Sequence, residues 1–282
     1  MRFLSYFIII CIILGMQGCR EAPARGNSRK EYRDSKKINL RDKEHLVEKP
    51  SKSISYNDFE LPAYKVTENN ILLERRRYKT LYNVNNKIPD WVAWQLKSEH
   101  TEGPYKRLST YFEDNNVPSP RAIDEDYKGT VWTHGHMCPA GDNKWDEDAM
   151  RESNLLTNIC PQHASLNSGL WNKIEQDCRN WSKQYGDLYI VCGPILYNRE
   201  HETIGANKIV VPEAFFKVIL CLTGTPKAIG FVVKNNEGKK KKDQFVNTVD
   251  EVERITGIDF FPNLPDDIEN KVEAYANLDD WR

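Results

Sequence analysis

The chain has 282 residues, with 40 Lys and Arg against 41 Asp and Glu and a formal net charge of −1. So even a balance excludes a protein that coats a polyanion through bulk positive charge, and any affinity for one has to be local. The length suits one sizeable domain with its own core and short appendages.

Met1-Arg2 is followed by an almost unbroken apolar run from Phe3 to Leu14 and then by Gly15-Met16-Gln17-Gly18-Cys19. A positive start, a short apolar stretch and small residues near a cleavage point describe a secretory signal over residues 1–18, because a membrane span needs ~20 apolar residues. The expectation is an exported protein, either periplasmic or held at the outer membrane or cell surface. A cysteine at the end of the run is similar to a bacterial lipoprotein box, which makes Cys19 a candidate lipid anchor to the membrane; the alternative is an incidental thiol. Residues 19–57 are rich in Lys, Arg, Glu, Ser and Asn and nearly free of aromatic side chains. They cannot bury enough apolar surface to offset chain entropy and read as a flexible spacer, leaving 58–282 as the domain. Besides Cys11 and Cys19 there remain Cys138, Cys160, Cys178, Cys192 and Cys221, an odd number that leaves at least one thiol unpaired within the chain.

Along the domain, alternation over 130–138 predicts a strand with Trp132, His134, His136 and Cys138 on one side and Thr133 and Met137 on the other, ended by Pro139. A short helix follows over 146–154 with Asp146 as N-cap. A strand over 155–159 then delivers Pro161-Gln162. A longer helix is expected over 165–185, its apolar stripe being Leu170, Ile174, Cys178, Trp181 and Tyr185. On that helix Asn167, Trp171, Glu175 and Arg179 recur every four residues as a slowly turning ridge, with the helix N-terminus offering amides to an anion. β-Branched and aromatic runs over 188–193, 208–211, 215–222 and 227–233 read as core strands of a mixed or antiparallel sheet. Lys239-Lys240-Lys241-Lys242 is either a basic patch or a solvated hairpin tip. Thr248-Val-Asp-Glu251 is a capping box that opens a helix stopped by Gly257. Helices flanking a central sheet make an α+β or layered architecture.

The stretch 132–175 holds the chemistry. It brings together an imidazole, an amide and a carboxylate, a set that can activate a water, hold a hard divalent metal and act on a phosphodiester. Gly135-His136-Met-Cys-Pro139, Asn158-Ile-Cys-Pro-Gln162, Asn167-Ser-Gly-Leu-Trp171, Ile174-Glu175 and Arg179 occur in this order. In sequence and spacing they resemble the signature of the DNA/RNA non-specific endonuclease family. Asp90-Trp-Val-Ala-Trp94, Asp126-Tyr-Lys-Gly129 and Gly257-Ile-Asp-Phe-Phe-Pro262 extend the likeness over nearly the whole domain.

The resemblance implies a ββα-metal (His-Me finger) fold and an endonuclease acting on DNA and/or RNA with Mg2+, for which Mn2+ can substitute. By the same resemblance His136 is the general base, Asn167 the direct metal ligand and Glu175 the carboxylate that holds metal-bound waters. Arg179 and, by a looser match, Arg107 are phosphate-binding candidates. The departure is Thr133-His134 where the family has Asp-Arg: His134 restores the lost positive charge only when protonated, so the expectation is an active enzyme, with His136, Asn167 and Glu175 intact, whose rate is reduced at this step. Two rivals stay open. His134, His136, Cys138 and His163 could bind zinc, or the chain could be a non-catalytic lipoprotein that binds nucleic acid or a protein partner through the same surface. The residues leave oligomeric state open.

Overall fold

The computed structural model describes residues 58–282; the signal, Cys19 and the spacer expected over 1–57 lie outside the described residues. In chain order the strands are β1 (Asn70–Glu74), β2 (Lys79–Asn83), β3 (Ile88–Leu96), β4 (Trp132–His136), β5 (Ile159–His163), β6 (Leu188–Ile195), β7 (Thr203–Ile204), β8 (Ile209–Val210), β9 (Ala214–Cys221), β10 (Lys227–Lys234) and β11 (Val246–Asn247). The α-helices are α1 (Glu147–Ser153), α2 (Asn172–Tyr185), α3 (Val249–Thr256) and α4 (Asp266–Glu273). Seven strands form one sheet in the order β1-β2-β3-β6-β9-β10-β11, and every paired neighbour is antiparallel.

The sheet is buried on both faces, as the unbroken apolar run of β9 requires. Ala214, Phe216, Val218 and Leu220 face one core with Trp91, Val252 and Phe260, while Phe215, Ile219 and Cys221 face the other with Trp171, Ile174 and Trp181. The strand's period of two thus serves both cores from one sequence. The first core lies under α3 and α4. The second lies under α2 and the separate β4–β5 hairpin, in which His136 pairs with Ile159 and Thr133 with Gln162. The architecture is α+β, with helices on both faces of an antiparallel sheet.

Several elements follow the sequence closely. Asp146 caps α1 by accepting from Ala149 N at 2.9 Å, and the stripe Leu170, Ile174, Cys178 and Trp181 is buried. Gly257 ends α3 in the left-handed region at φ 71°. The capping box is only half made. Thr248 Oγ1 accepts from Glu251 N at 3.1 Å, but the Glu251 carboxylate turns to Arg254, a charged partner that outcompetes the neutral backbone amide.

Other expectations are corrected. The strand expected over 155–159 begins only at Ile159, because Leu156–Asn158 is a 3-10 turn, and it runs through Pro161. A proline is tolerated there because β5 pairs with β4 alone. The run 208–211 contributes β8, which pairs with β7 in a two-stranded ribbon outside the main sheet. Cys138, Cys160, Cys178, Cys192 and Cys221 are all buried and unpaired.

The helix expected over 165–185 is broken. Leu166–Trp171 is wound as a π-turn with Gly169 at φ −99°, ψ −111°, and regular α2 starts at Asn172. The cause is the turn after β10. Gly238 O accepts from Leu170 N at 3.1 Å, and a Cβ on Gly169 would stand 2.7 Å from that oxygen. The expected ridge therefore splits: Trp171 is fully buried, while Asn167, Glu175 and Arg179 face outward together. Lys239–Lys242 is likewise no free hairpin tip, since Lys242 pairs with Asp177 on α2 and Lys240 with Glu237.

A Cβ on Gly238 would fall 1.9 Å from Ser165 O, a clash with backbone that no rotamer relieves. Gly238→Ala is expected to destabilise the domain by ~1–3 kcal/mol. Urea unfolding checks it, as a lower midpoint at unchanged slope.

Candidate active site

The hairpin, the π-turn and α2 enclose a cleft of about 500 Å³ lined by Arg107, His136, Gly141, Lys144, Asn167, Asn172, Glu175 and Arg179 among others. A separate depression near Trp91 and Ile258 contains none of His136, Asn167, Glu175 and Arg179.

His136 ends β4 and is 5% exposed. Its Nε2 lies 2.8 Å from Asn154 Oδ1. Asn154 Nδ2 donates to Thr110 O at 2.8 Å and Leu108 O at 3.2 Å, so its oxygen is left as an acceptor only. This network assigns the ring proton to Nε2 and makes Nδ1 the basic nitrogen. Burial pushes the imidazole down to about 4; the Asn154 bond opposes this, and Arg107 and His134 reinforce it. The ring is neutral at neutral pH, as a base must be.

Asn167 sits in the π-turn and reaches back across β4. Its Nδ2 donates to Thr133 Oγ1 at 2.9 Å and His134 O at 3.0 Å. With both amide hydrogens committed, the oxygen is the atom left for the cleft. Thr133 Oγ1 in turn donates to Gln162 O at 2.8 Å, which turns its lone pairs toward Asn167. Thr133 thus fixes the orientation of the amide without carrying charge.

Glu175 stands on the first turn of α2 and lines the same cleft. Burial raises its carboxyl to about 7, against the pull of Lys217, Arg179 and Arg107 and with a further push from Asp142. Lys217 is a lysine in the middle of β9, 1% exposed, its Nζ 4.9 Å from the Trp94 ring centroid and 4.8 Å from that of Trp171. Burial works against its charge, and Cys192, Glu175, Cys178 and Asp142 around it hold its pKa above the ordinary value. Arg179 Nη1 donates to Asp142 Oδ1 at 3.0 Å, and Trp94 Nε1 donates to Asp142 Oδ2 at 3.2 Å. Arg179 is thereby anchored, with its remaining donors available to a phosphate.

His134 is a correction. It does not line the cleft: its ring is stacked between Tyr111 and Tyr127, each centroid 3.9 Å away, and its Nε2 lies 3.1 Å from Asp124 Oδ1 at an angle that makes no hydrogen bond. Burial lowers its pKa to about 4 despite Asp124. It is neutral at neutral pH and supplies no positive charge to a phosphate. The cationic side chains that do line the cleft are Arg107, Arg179 and Lys144, the last of which the sequence reading did not single out. The zinc arrangement is not assembled either. His136 faces Asn154, His163 faces Ser165 and Cys138 faces Asn143, and these ligand atoms do not converge.

A metal fits the remaining donors. An amide oxygen fixed outward by its own hydrogens and a nearby carboxylate form a hard oxygen set, the kind Mg2+ takes while keeping several waters.

Two antiparallel strands with the catalytic-type histidine on the first, followed by a helix bearing the metal-type residues, define a ββα-metal nuclease fold. A chain in the crystal structure of the EndoG/EndoGI complex superposes with a TM-score of 0.65 over 69% of this chain and 86% of that one, at 24% identity, and supports the fold. The family model for DNA/RNA non-specific endonuclease matches residues 55–267, and the chain belongs to that family. The mitochondrial nuclease EXOG of Xenopus laevis is 36% identical over 203 residues, 66% of this chain and 57% of the relative. Mitochondrial endonuclease G of Bos taurus is 29% identical over 208 residues, covering 68% and 70%. A nuclease of Nostoc sp. is 27% identical over 226 residues, covering 74% and 80%. The chain thus spans little more than half the length of the EXOG relative.

Proposed function

We propose that the protein is a metal-dependent endonuclease that hydrolyses phosphodiester bonds of DNA and/or RNA without strong sequence preference. The observation that carries this reading is the pairing of two fixed atoms on one cleft: a neutral His136 with Nδ1 as its basic nitrogen, and Asn167 with its oxygen left outward beside Glu175. His136 takes the proton of the attacking water. Asn167 and Glu175 would hold Mg2+, or Mn2+ in its place, which when bound supplies positive charge against the scissile phosphate and the leaving 3′-oxygen. Arg107, Arg179 and Lys144 bind the flanking phosphates and set the register of the strand. The named activities of the relatives support the reading.

Fluorescent duplex DNA and single-stranded RNA, incubated with purified protein and Mg2+ and with excess chelator, test it. Cleavage of at least one substrate only with the metal is expected, and cleavage of neither sinks it. The neutral, stacked His134 favours a reduced rate, the weaker reading of the same site. Export and lipidation at Cys19 are part of the proposal, resting on the apolar run from Phe3 to Leu14 and the cysteine that follows it; a parent protein that takes up no lipid label, or a Cys19→Ser variant that takes up as much as the parent, would refute the anchor.

The pH dependence follows from Glu175 and His136. Glu175 is protonated below about 7 in the metal-free protein and must lose that proton to hold the ion. The Mg2+ concentration for half-maximal rate is expected to rise up to ~10-fold per unit as pH falls below 7, and to stay level above it. At saturating Mg2+ the acid limb of turnover should lie below the usual imidazole range, because His136 protonates only near 4. Rates over a Mg2+ and pH grid check both.

A further inference from the structure

On the sheet face opposite the cleft, α3 and α4 bring three carboxylates to one point. Asp250 and Glu253 lie three residues apart on α3, hence on one side of it, and Glu273 closes α4. One oxygen of each lies within 4.8 Å of the other two, and burial increases from exposed Asp250 through half-buried Glu253 to Glu273. Glu273 is 6% exposed, and its Oε1 is shut from solvent with no hydrogen-bond partner. Leaving an acceptor so costs ~1–3 kcal/mol, more when it is charged, and native structures seldom do it without a ligand or counter-charge.

Among the described residues Glu273 makes no ion pair. The charges that bear most strongly on it are those of Glu253, Glu269, Asp250 and Asp259, all acidic. Arg254 of α3 gives both of its contacts to Glu251, at 2.8 and 2.6 Å, and Lys271 of α4 lines a different cavity with Tyr185 and Tyr275. The cluster is also held in place: Glu253 Oε1 accepts from Phe260 N at 2.7 Å, which fixes that carboxylate from below.

We propose that Asp250, Glu253 and Glu273 form a calcium site, separate from the cleft, that ties the start of α3 to the end of α4. Two oxygens each ~2.4 Å from one Ca2+ can stand no more than ~4.8 Å apart, a bound that all three pairs meet, so small side-chain adjustments bring the three oxygens onto one ion. Water on the open side next to Asp250 completes the shell. Three converging carboxylates suit Ca2+ better than Mg2+, which gives up its waters reluctantly and is usually held by one or two. The site is independent of the proposed nuclease activity.

Thermal unfolding of the purified protein in excess Mg2+, with and without CaCl2, tests the proposal, the Mg2+ keeping the cleft occupied. Ca2+ is expected to raise Tm by ~3 °C or more. In Asp250→Asn/Glu273→Gln the Ca2+ shift should vanish, while Tm without Ca2+ equals or exceeds that of the parent because the repulsion is relieved. Calorimetric titration should count one Ca2+ fewer in the variant, and Glu253→Gln serves as a second test of the same loss. A parent indifferent to Ca2+, or an equal shift in parent and variants, overturns the proposal.

Discussion

His136→Ala is expected to lower the rate of Mg2+-dependent cleavage by ~10²–10⁴-fold with little change in the Mg2+ requirement. The variant removes the one imidazole on the cleft but leaves Asn167 and Glu175, the proposed metal-holding residues, where they are. Asn154 remains bonded to Leu108 O and Thr110 O, so the cavity should not collapse. Exogenous imidazole should restore part of the rate, because the space vacated is the size of the ring that was lost. Initial rates on plasmid DNA across Mg2+ concentrations check this, and a raised Mg2+ requirement at unchanged maximal rate would assign His136 to the metal instead.

Asn167→Ala is expected to show the opposite pattern. It removes the amide oxygen left for the cleft, and the Mg2+ concentration for half-maximal rate should rise at least ~10- to 100-fold, the range that loss of even an outer-shell partner costs. Thr133→Val should raise the same quantity by a smaller factor, because it deletes the acceptor that holds Asn167 Nδ2 at 2.9 Å but leaves His134 O in place. Thr133→Asp should lower it, since a charged acceptor holds the amide more firmly. Magnesium titrations of the rate for the three variants check the order.

The signature residues were legible as chemistry because each has a side chain suited to one task. Their partners were not. Asn154, which fixes the tautomer of His136, is the C-cap of α1, and nothing in its local sequence marks it as more than a helix end. Lys217 lies in the apolar run of β9, where periodicity assigns it only to a core face; its burial against Trp94 and Trp171 appears when β3 and the π-turn are brought over it. His134 was misplaced for the same reason. Strand alternation correctly put it on the side of His136, but the tyrosines that enclose it are Tyr111, in irregular chain, and Tyr127, at the end of a single 3-10 turn too short to show a period. The break at Gly169 was hidden because its cause, Gly238, is 69 positions away; helical spacing of four residues holds on both sides of it and so reads as one helix.

Apolar pattern fared best where burial alone decides. The stripe of α2 and both faces of β9 follow their periods. The run at 208–211 shows the limit of that signal: the residues are buried and extended, yet they pair with Thr203–Ile204 and not with the main sheet, since pairing depends on where the chain has room to turn.

On the proposed mechanism His136 activates the water that attacks phosphorus, and the 3′-oxygen leaves toward the side lined by Asn167 and Glu175. The most direct test is the chemistry of the ends produced from a defined DNA duplex in Mg2+, read by mass spectrometry. The expected products carry 5′-phosphate and 3′-hydroxyl termini, absent in chelator and strongly reduced in His136→Ala. Termini bearing 5′-hydroxyl and 3′-phosphate, or the same products from His136→Ala at the parent's rate, would contradict it.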